Sequence, residues 1–170
     1  MNLLDKEVFA VLTAAVLLAS VFSASMMLGL AQKERYAGLG LLSSDCVLGN
    51  YPKSVYDGEN ITLCVFIENH LGHVALLEVR YKVSVNGSLP TDTSPAPDPV
   101  IASWEALLGD GENTTLVISV PVNISLTTQR LSGVALIFEL WYLNPDTGEW
   151  EYTGRWVHLY VTVTKPPLGG

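Results

Sequence analysis

Charge is scarce in this sequence: Asp, Glu, Lys and Arg make up 15% of its 170 residues, against 49% hydrophobic. From Val8 to Gln32 there is none at all, over 25 consecutive residues dominated by Ala, Leu, Val, Phe and Met. Basic residues are the scarcer kind, nine against seventeen acidic, and from Tyr36 onward the count is 6 against 14. The net charge of −8 therefore lies beyond residue 35. Such a surface repels phosphate backbones, which argues against a nucleic-acid partner. Catalytic signatures are missing too: there is no Gly-rich phosphate loop, GxSxG nucleophile motif or HExxH metal motif. The carboxylates are scattered over turn sequences, which gives a glycosidase-type pair no basis. Nothing after residue 36 has the 3.6-residue period of an amphipathic helix. These absences predict a protein that is not an enzyme, needs no cofactor and holds no metal.

As a helix at ~1.5 Å per residue, the charge-free run would extend roughly 37 Å, more than the ~30 Å hydrocarbon core. It predicts a transmembrane helix over 8–32 that acts as a signal anchor in membrane lipid, behind a short flank at 1–7. A secretory signal peptide has a shorter apolar region, about 7–15 residues, and Gly29-Leu30-Ala31 would serve as its cleavage site. Lys33 and Arg35 follow the run and Lys6 precedes it, a bias that on its own puts the C-terminal side in the cytoplasm. Four N-x-[ST] sequons oppose it, at Asn60, Asn86, Asn113 and Asn123. Eight Asn and 25 Ser plus Thr give roughly one sequon by chance, and all four lie beyond the helix. They predict an extracytoplasmic, glycosylated domain at the cell membrane. Cys46 and Cys64 are then either a disulfide or buried thiols, and an outside location favours the disulfide.

Beyond the helix the pattern alternates. Ile61, Leu63, Val65 and Ile67 share one face of a strand over 61–68. Over 74–86, Val79, Tyr81, Val83 and Val85 oppose Glu78, Arg80, Lys82 and Ser84, the pattern of a half-buried antiparallel strand. Further strands are expected at 114–122, 133–143 and 149–164, with weaker ones near 38–47 and 101–108. Asn144-Pro-Asp-Thr-Gly148 is a turn that should join the last two long strands as a hairpin. Six to eight strands predict an all-β, immunoglobulin-like antiparallel β-sandwich over 36–164, with a flexible tail at 165–170. Leu89–Pro99, with four prolines, reads as an exposed polyproline-like loop. Asp57-Gly-Glu-Asn-Ile-Thr-Leu63 and Asp110-Gly-Glu-Asn-Thr-Thr-Leu116 match at six of seven positions. Two equivalent strand starts account for the repeat better than calcium ligation, since EF-hand spacing is absent. Glu68, His70 and His73 resemble a fragment of a metal site and read as solvated loop residues.

In the last strand Val157, Leu159, Val161 and Val163 suffice for the core, so the large side chains of Trp156 and Tyr160 need another reason. They predict a protein-binding surface, joined by Trp141 if the register allows. The function expected is that of an interaction or accessory module for a membrane or surface protein, within a larger membrane complex. Two rivals remain. A pilin-like subunit would pack the apolar helix in a fibre core, although Asp5-Lys6-Glu7 is a poor processing site. A carbohydrate-binding module would stack sugars on Trp141, Trp150, Tyr152 and Trp156.

Tyr36–Leu42, Asn50-Tyr51-Pro52, Asp57-Gly-Glu-Asn60 and Ile67-Glu-Asn-His70 resemble an archaeal family of uncharacterised membrane proteins, catalogued as domain of unknown function sixteen-sixteen. The resemblance covers roughly Tyr36 to Thr164 and implies an Ig-like extracytoplasmic domain with no assigned activity. This chain departs from it in having a single helix before the domain and two cysteines within it.

Overall fold

The computed structural model describes residues 3–28 and 35–167, and within the helix the side chains of residues 6–21. The chain divides into Met1–Glu34 and Arg35–Gly170, each treated by itself.

In the first unit, helix α1 runs Leu3–Leu28, starting five residues ahead of the charge-free run. The end of the expected 8–32 span, with Gly29-Leu30-Ala31, lies outside the described residues. Among the described residues no helix is both long and apolar enough to cross a membrane. Only 6–21 of α1 have described side chains, so much of the charge-free run falls outside that statement.

The second unit has eight strands: β1 Tyr36–Leu42, β2 Ser54–Tyr56, β3 Glu59–His70, β4 Ala75–Ser84, β5 Val100–Leu108, β6 Asn113–Val122, β7 Arg130–Leu143 and β8 Trp150–Thr164. They form two sheets, β1-β3-β6 and β2-β8-β7-β4-β5, consistent with a β-sandwich. Pairs are antiparallel except β2, which runs parallel to β8. Three-residue β2 was not expected, because so short a segment carries no readable alternation. The β7–β8 hairpin turns where expected, with Leu143 opposite Trp150 and Gly148 at φ 71°.

Ile61, Leu63, Val65 and Ile67 all face the core, where they meet Val79, Tyr81, Leu136, Phe138, Val161 and Val163. Each such side chain contributes about 1.5–3 kcal/mol relative to exposure. Cys64 faces the other side of its sheet and is disulfide-bonded to Cys46, with the Cα atoms 5.2 Å apart. Closing 18 residues in this way stabilises the fold by about 3 kcal/mol in the chain-entropy model.

Two expectations hold only in part. The face of β4 assigned to solvent holds Glu78, Lys82 and Ser84, which are buried, whereas Val85 is exposed. Leu89–Pro99 is a loop exposed at Thr91–Ser94, Pro97 and Pro99, but Pro90 and Ala96 are buried, and Ala96 packs on Ala135 and Ile137 of β7. The cause is one polar cluster. Lys82 Nζ lies 3.0 Å from Glu139 Oε2 and donates to the Ala96 carbonyl at 2.6 Å. Glu139 Oε1 accepts the Ala96 N–H at 2.6 Å, so both backbone groups of one loop residue close the ion pair. Further along the loop, the carbonyl of Asp92 sits against Gly154, where any Cβ would collide with it.

The repeated Asp-Gly-Glu-Asn segment marks a local two-fold axis between β3 and β6. Gly58 N–H donates to Val122 O, the last residue of β6, and Gly111 N–H donates to Asn69 O near the end of β3, each at 2.7 Å. Glu59 accepts the Tyr56 N–H at 2.8 Å and Glu112 accepts the Gly109 N–H at 2.7 Å. Asp57 accepts the N–H groups of Ile124 and Leu126, and Asp110 accepts that of Gly72. The aspartates thus fasten turns to the loops beyond the neighbouring strand. The N–H of Leu126 and then that of Ile124 hold the Asp57 carboxyl below its ordinary range.

Two outcomes follow. Lys82→Met should cost about 3–5 kcal/mol, because Glu139 is left charged and buried, whereas Lys82→Met with Glu139→Leu should recover most of it. Chemical denaturation of the three proteins checks this. For Asp57 the folded-state pKa is depressed, so its contribution is present above the ordinary aspartate pKa near 4 and is lost as pH falls below it. Asp57→Asn should cost about 1 kcal/mol at neutral pH, allowing for solvent exposure, with the gap closing in acid.

Candidate partner-binding face

Alternation in β8 works as the sequence suggested. Val157 and Leu159 pack against the core, while Trp156, His158 and Tyr160 lie on the outer face of the five-stranded sheet. Register sets them opposite Glu139, Ile137 and Ala135 of β7. Their rings form a row: Trp156 and His158 centroids are 5.4 Å apart, and His158 meets Tyr160 edge-on at 4.7 Å. Tyr160 is 49% exposed and Trp156 half-buried, so both rings remain partly open to solvent. Alternation in the sequence puts His158 on this face, between two outward aromatics at period two. Beside Tyr160, a depression is lined by Asn50, Tyr51, Pro52, Lys53 and Leu159. It is fixed by Tyr51, whose hydroxyl donates to Leu41 O at 2.6 Å.

Trp141 belongs to a different group. A register shift after Leu140 puts it opposite Tyr152 rather than Gly154, while Trp156 is opposite Glu139; the Trp141 and Tyr152 ring centroids are 5.4 Å apart and their planes inclined at 46°. The Arg80 guanidinium covers it at 4.1 Å and lies 5.7 Å from Trp150. Arg80 is in turn held by Glu78 at 2.7 Å, and the Trp141 indole donates to Glu139 at 3.2 Å. Tyr152 donates to Thr91 O at 2.8 Å, and its pKa is pushed up to about 12, by burial first and then by the charges of Glu139 and Asp92. Trp141, Trp150 and Tyr152 are therefore tied into the cluster that carries the docked loop, and they do not form one flat row with Trp156. At the hairpin, Tyr142 and Asn144 both donate to Glu151 at 2.5 Å. The Tyr142 bond raises that phenol's pKa and, with the Asn144 bond, lowers that of Glu151.

The remaining sequence candidates are dispersed. Asn60, Asn86, Asn113 and Asn123 are all exposed. His70 ends β3, stacked on Tyr36 at 4.8 Å and 3.6 Å from Glu68, while His73 is exposed in the following turn. Among the described residues no three His, Cys, Asp or Glu side chains are grouped to hold a metal ion. The Asp-Gly-Glu-Asn carboxylates are taken up by backbone N–H groups, as above.

A partner-facing ring and a core side chain should respond differently to truncation. Leu159→Ala should cost about 2 kcal/mol or more through the cavity it leaves. Trp156→Ala and Tyr160→Ala should each cost less than half of that. Melting temperatures of the three variants check the order, and equal losses would make Trp156 part of the core.

No protein-family model and no curated protein matches the chain. Among solved structures it is similar to a β-glucosidase from Listeria innocua in complex with glucose, at 14% identity and a TM-score of 0.45 over 79% of this chain and 17% of that one. A CARDB domain of the PF1109 protein in complex with di-metal ions, from Pyrococcus furiosus, is 12% identical with a TM-score of 0.40, over 78% of this chain and 94% of that one. AvmM, described as catalysing macrocyclization in alchivemycin A biosynthesis, is 12% identical with a TM-score of 0.40, over 80% and 93%. The chain thus spans about a sixth of the glucosidase, and likenesses this distant establish neither a family nor an activity.

Proposed function

We propose that this chain is a single-pass, membrane-anchored surface protein whose extracytoplasmic domain is a non-enzymatic interaction module for a membrane or surface protein. The observation that carries this reading is the outward row Trp156, His158 and Tyr160 on a strand whose other face already supplies the core. Large, partly exposed rings on a sheet face favour protein contact. The anchor is supported by the sequence, in which Val8–Gln32 carries no charge, and by the described side chains from Val8 to Val21, which are uncharged and exposed all round. Four exposed sequons and a disulfide support the outside location. An immunoglobulin-like topology is supported by the switch between β1, paired in one sheet, and β2, paired parallel to the last strand of the other. Kinship with the archaeal family of unknown function belongs to the same proposal.

Added protease should remove the domain beyond Tyr36 from intact cells, and tryptic peptides should carry glycan mass on at least one of the four asparagines. Complete protection before lysis would overturn the orientation. In mild detergent the full chain should co-purify with a membrane protein, and Trp156→Ala or Tyr160→Ala should weaken retention by about 2 kcal/mol, roughly thirtyfold. Unchanged retention would remove the row from the binding surface.

A further inference from the structure

At one end of the second unit the alternation continues but the residue types change. On the inner face of the five-stranded sheet, β7 reads Leu136, Phe138 and Leu140, all fully buried, and then Tyr142. Residues directly opposite one another across a strand pair share a face. Arg155 is opposite Leu140 and Glu151 opposite Tyr142. Strand β8 thus carries two charged residues on the face that Val157 and Leu159 supply to the core. In the other sheet, Arg35 stands two residues before buried Ala37 of β1 and keeps its parity. Between them lies a cavity of about 430 Å³, lined by Arg35, Ala37, Leu71, Tyr142, Glu151 and Arg155 among others. A bulge in β8 shapes it. Thr153 and Gly154 are extra between the pairs Trp141–Tyr152 and Leu140–Arg155, and the Thr153 hydroxyl donates to Leu140 O at 2.7 Å. Bulges of this kind re-aim side chains and are over-represented beside functional sites.

The charges say what fits the cavity. From Tyr36 onward acidic residues outnumber basic ones 14 to 6, so carboxylate partners are plentiful. Arg80 and Lys82 have them, yet among the described residues neither Arg35 nor Arg155 is in an ion pair. Carboxylates close by are committed: Glu151 accepts from Tyr142 and Asn144, and Asp110 accepts the Gly72 N–H. The Tyr152 hydroxyl, also at the cavity, is spent on Thr91 O. What is left for a ligand is two guanidiniums and the His73 ring, beside the apolar surface of Ala37 and Leu71. A guanidinium presents its N–H groups as a fork that matches phosphate and carboxylate oxygens. Two forks lining one cavity suit a tetrahedral anion, whose oxygens point several ways, better than a planar carboxylate. We infer that this cavity binds the phosphate or sulfate group of a small molecule, held by Arg35 and Arg155. Its volume lies in the range of small-molecule sites, so there is room for more than the anion itself. Glu151 disfavours a second anionic group on the same ligand. A lipid headgroup and a soluble phosphorylated or sulfated compound present the same chemistry. The site is on the inner face, away from the row Trp156–Tyr160, and does not rest on the role given to that row.

The test measures binding to the full chain in mild detergent by calorimetry, with inorganic phosphate and sulfate as probes at constant ionic strength. Both should bind saturably. Arg35→Gln and Arg155→Gln should each weaken binding by about tenfold or more. Arg130→Gln removes the same charge at the opposite end of β7 and should leave binding unchanged. Melting temperatures that match the native chain in the absence of added anion show that the variants fold. No saturable binding overturns the inference, and so does undiminished affinity in either cavity variant. An equal loss in Arg130→Gln would reduce the effect to net charge and overturn it too. Micelles carrying phosphatidylglycerol, set against micelles carrying uncharged diacylglycerol, identify the source. Competition with inorganic phosphate by the first alone assigns a lipid headgroup, and competition by neither assigns a soluble compound; the site stands in both cases.

Discussion

The contact between Lys82 and Glu139 governs the outer side of the five-stranded sheet. Two charges on neighbouring central strands, 3.0 Å apart and both buried, would be costly if they had only each other. They are satisfied because Ala96 supplies a carbonyl to one and an N–H to the other. The loop is thus held by the need to complete an ion pair. Its remaining contacts, Tyr152 to Thr91 and Asp92 against Gly154, extend the hold from β4 and β7 to β8. A purely apolar patch there would bind the loop without fixing its register. Both hydrogen bonds at one residue select a single position along the chain.

The same cluster decides which aromatics are tied inward. Trp141 and Tyr152 each donate a hydrogen bond inward, to Glu139 and to the loop, and Arg80 lies over the face of Trp141. Trp156 and Tyr160 stand further along β8, in contact with His158. Trp141 and Trp156 look alike in sequence and differ in their neighbours: Trp141 has Tyr152 opposite and Arg80 over its face, whereas Trp156 is opposite Glu139 and stacks on His158. Trp141 adds a third donor to Glu139, beside Lys82 and the Ala96 N–H, while Trp156 carries no such internal polar bond in the described contacts.

Much of the sandwich was legible because alternation survives wherever one face of a strand is buried. Ile61–Ile67 and Val157–Val163 are of that kind, and so are the turn at Asn144–Gly148 and the disulfide. The outer face of β4 was not legible, because Glu78, Arg80 and Lys82 look the same in sequence whether they meet water or a docked loop. One clue was present: Glu139 is the sole charge in the apolar run Gly133–Leu143. A carboxylate there needs a cation, and Lys82 stood at the right parity on another apolar strand. What sequence could not give was the pairing of β4 with β7, which puts Lys82 opposite Ile137 and within reach of Glu139. Pairing of distant strands depends on loop closure and packing across the whole chain, and no local pattern records it. The repeat was legible as a repeat, yet its meaning, a two-fold relation between β3 and β6, appears only once those strands are side by side.

That two-fold relation also bears on how the surface is divided. Register relates Asn60, opposite Pro121, to Asn113, opposite Glu68, so two sequons stand at opposite corners of the outer face of the three-stranded sheet. Glycans there would occupy that face and shield the β6 edge, while the docked loop occupies the middle of the other face.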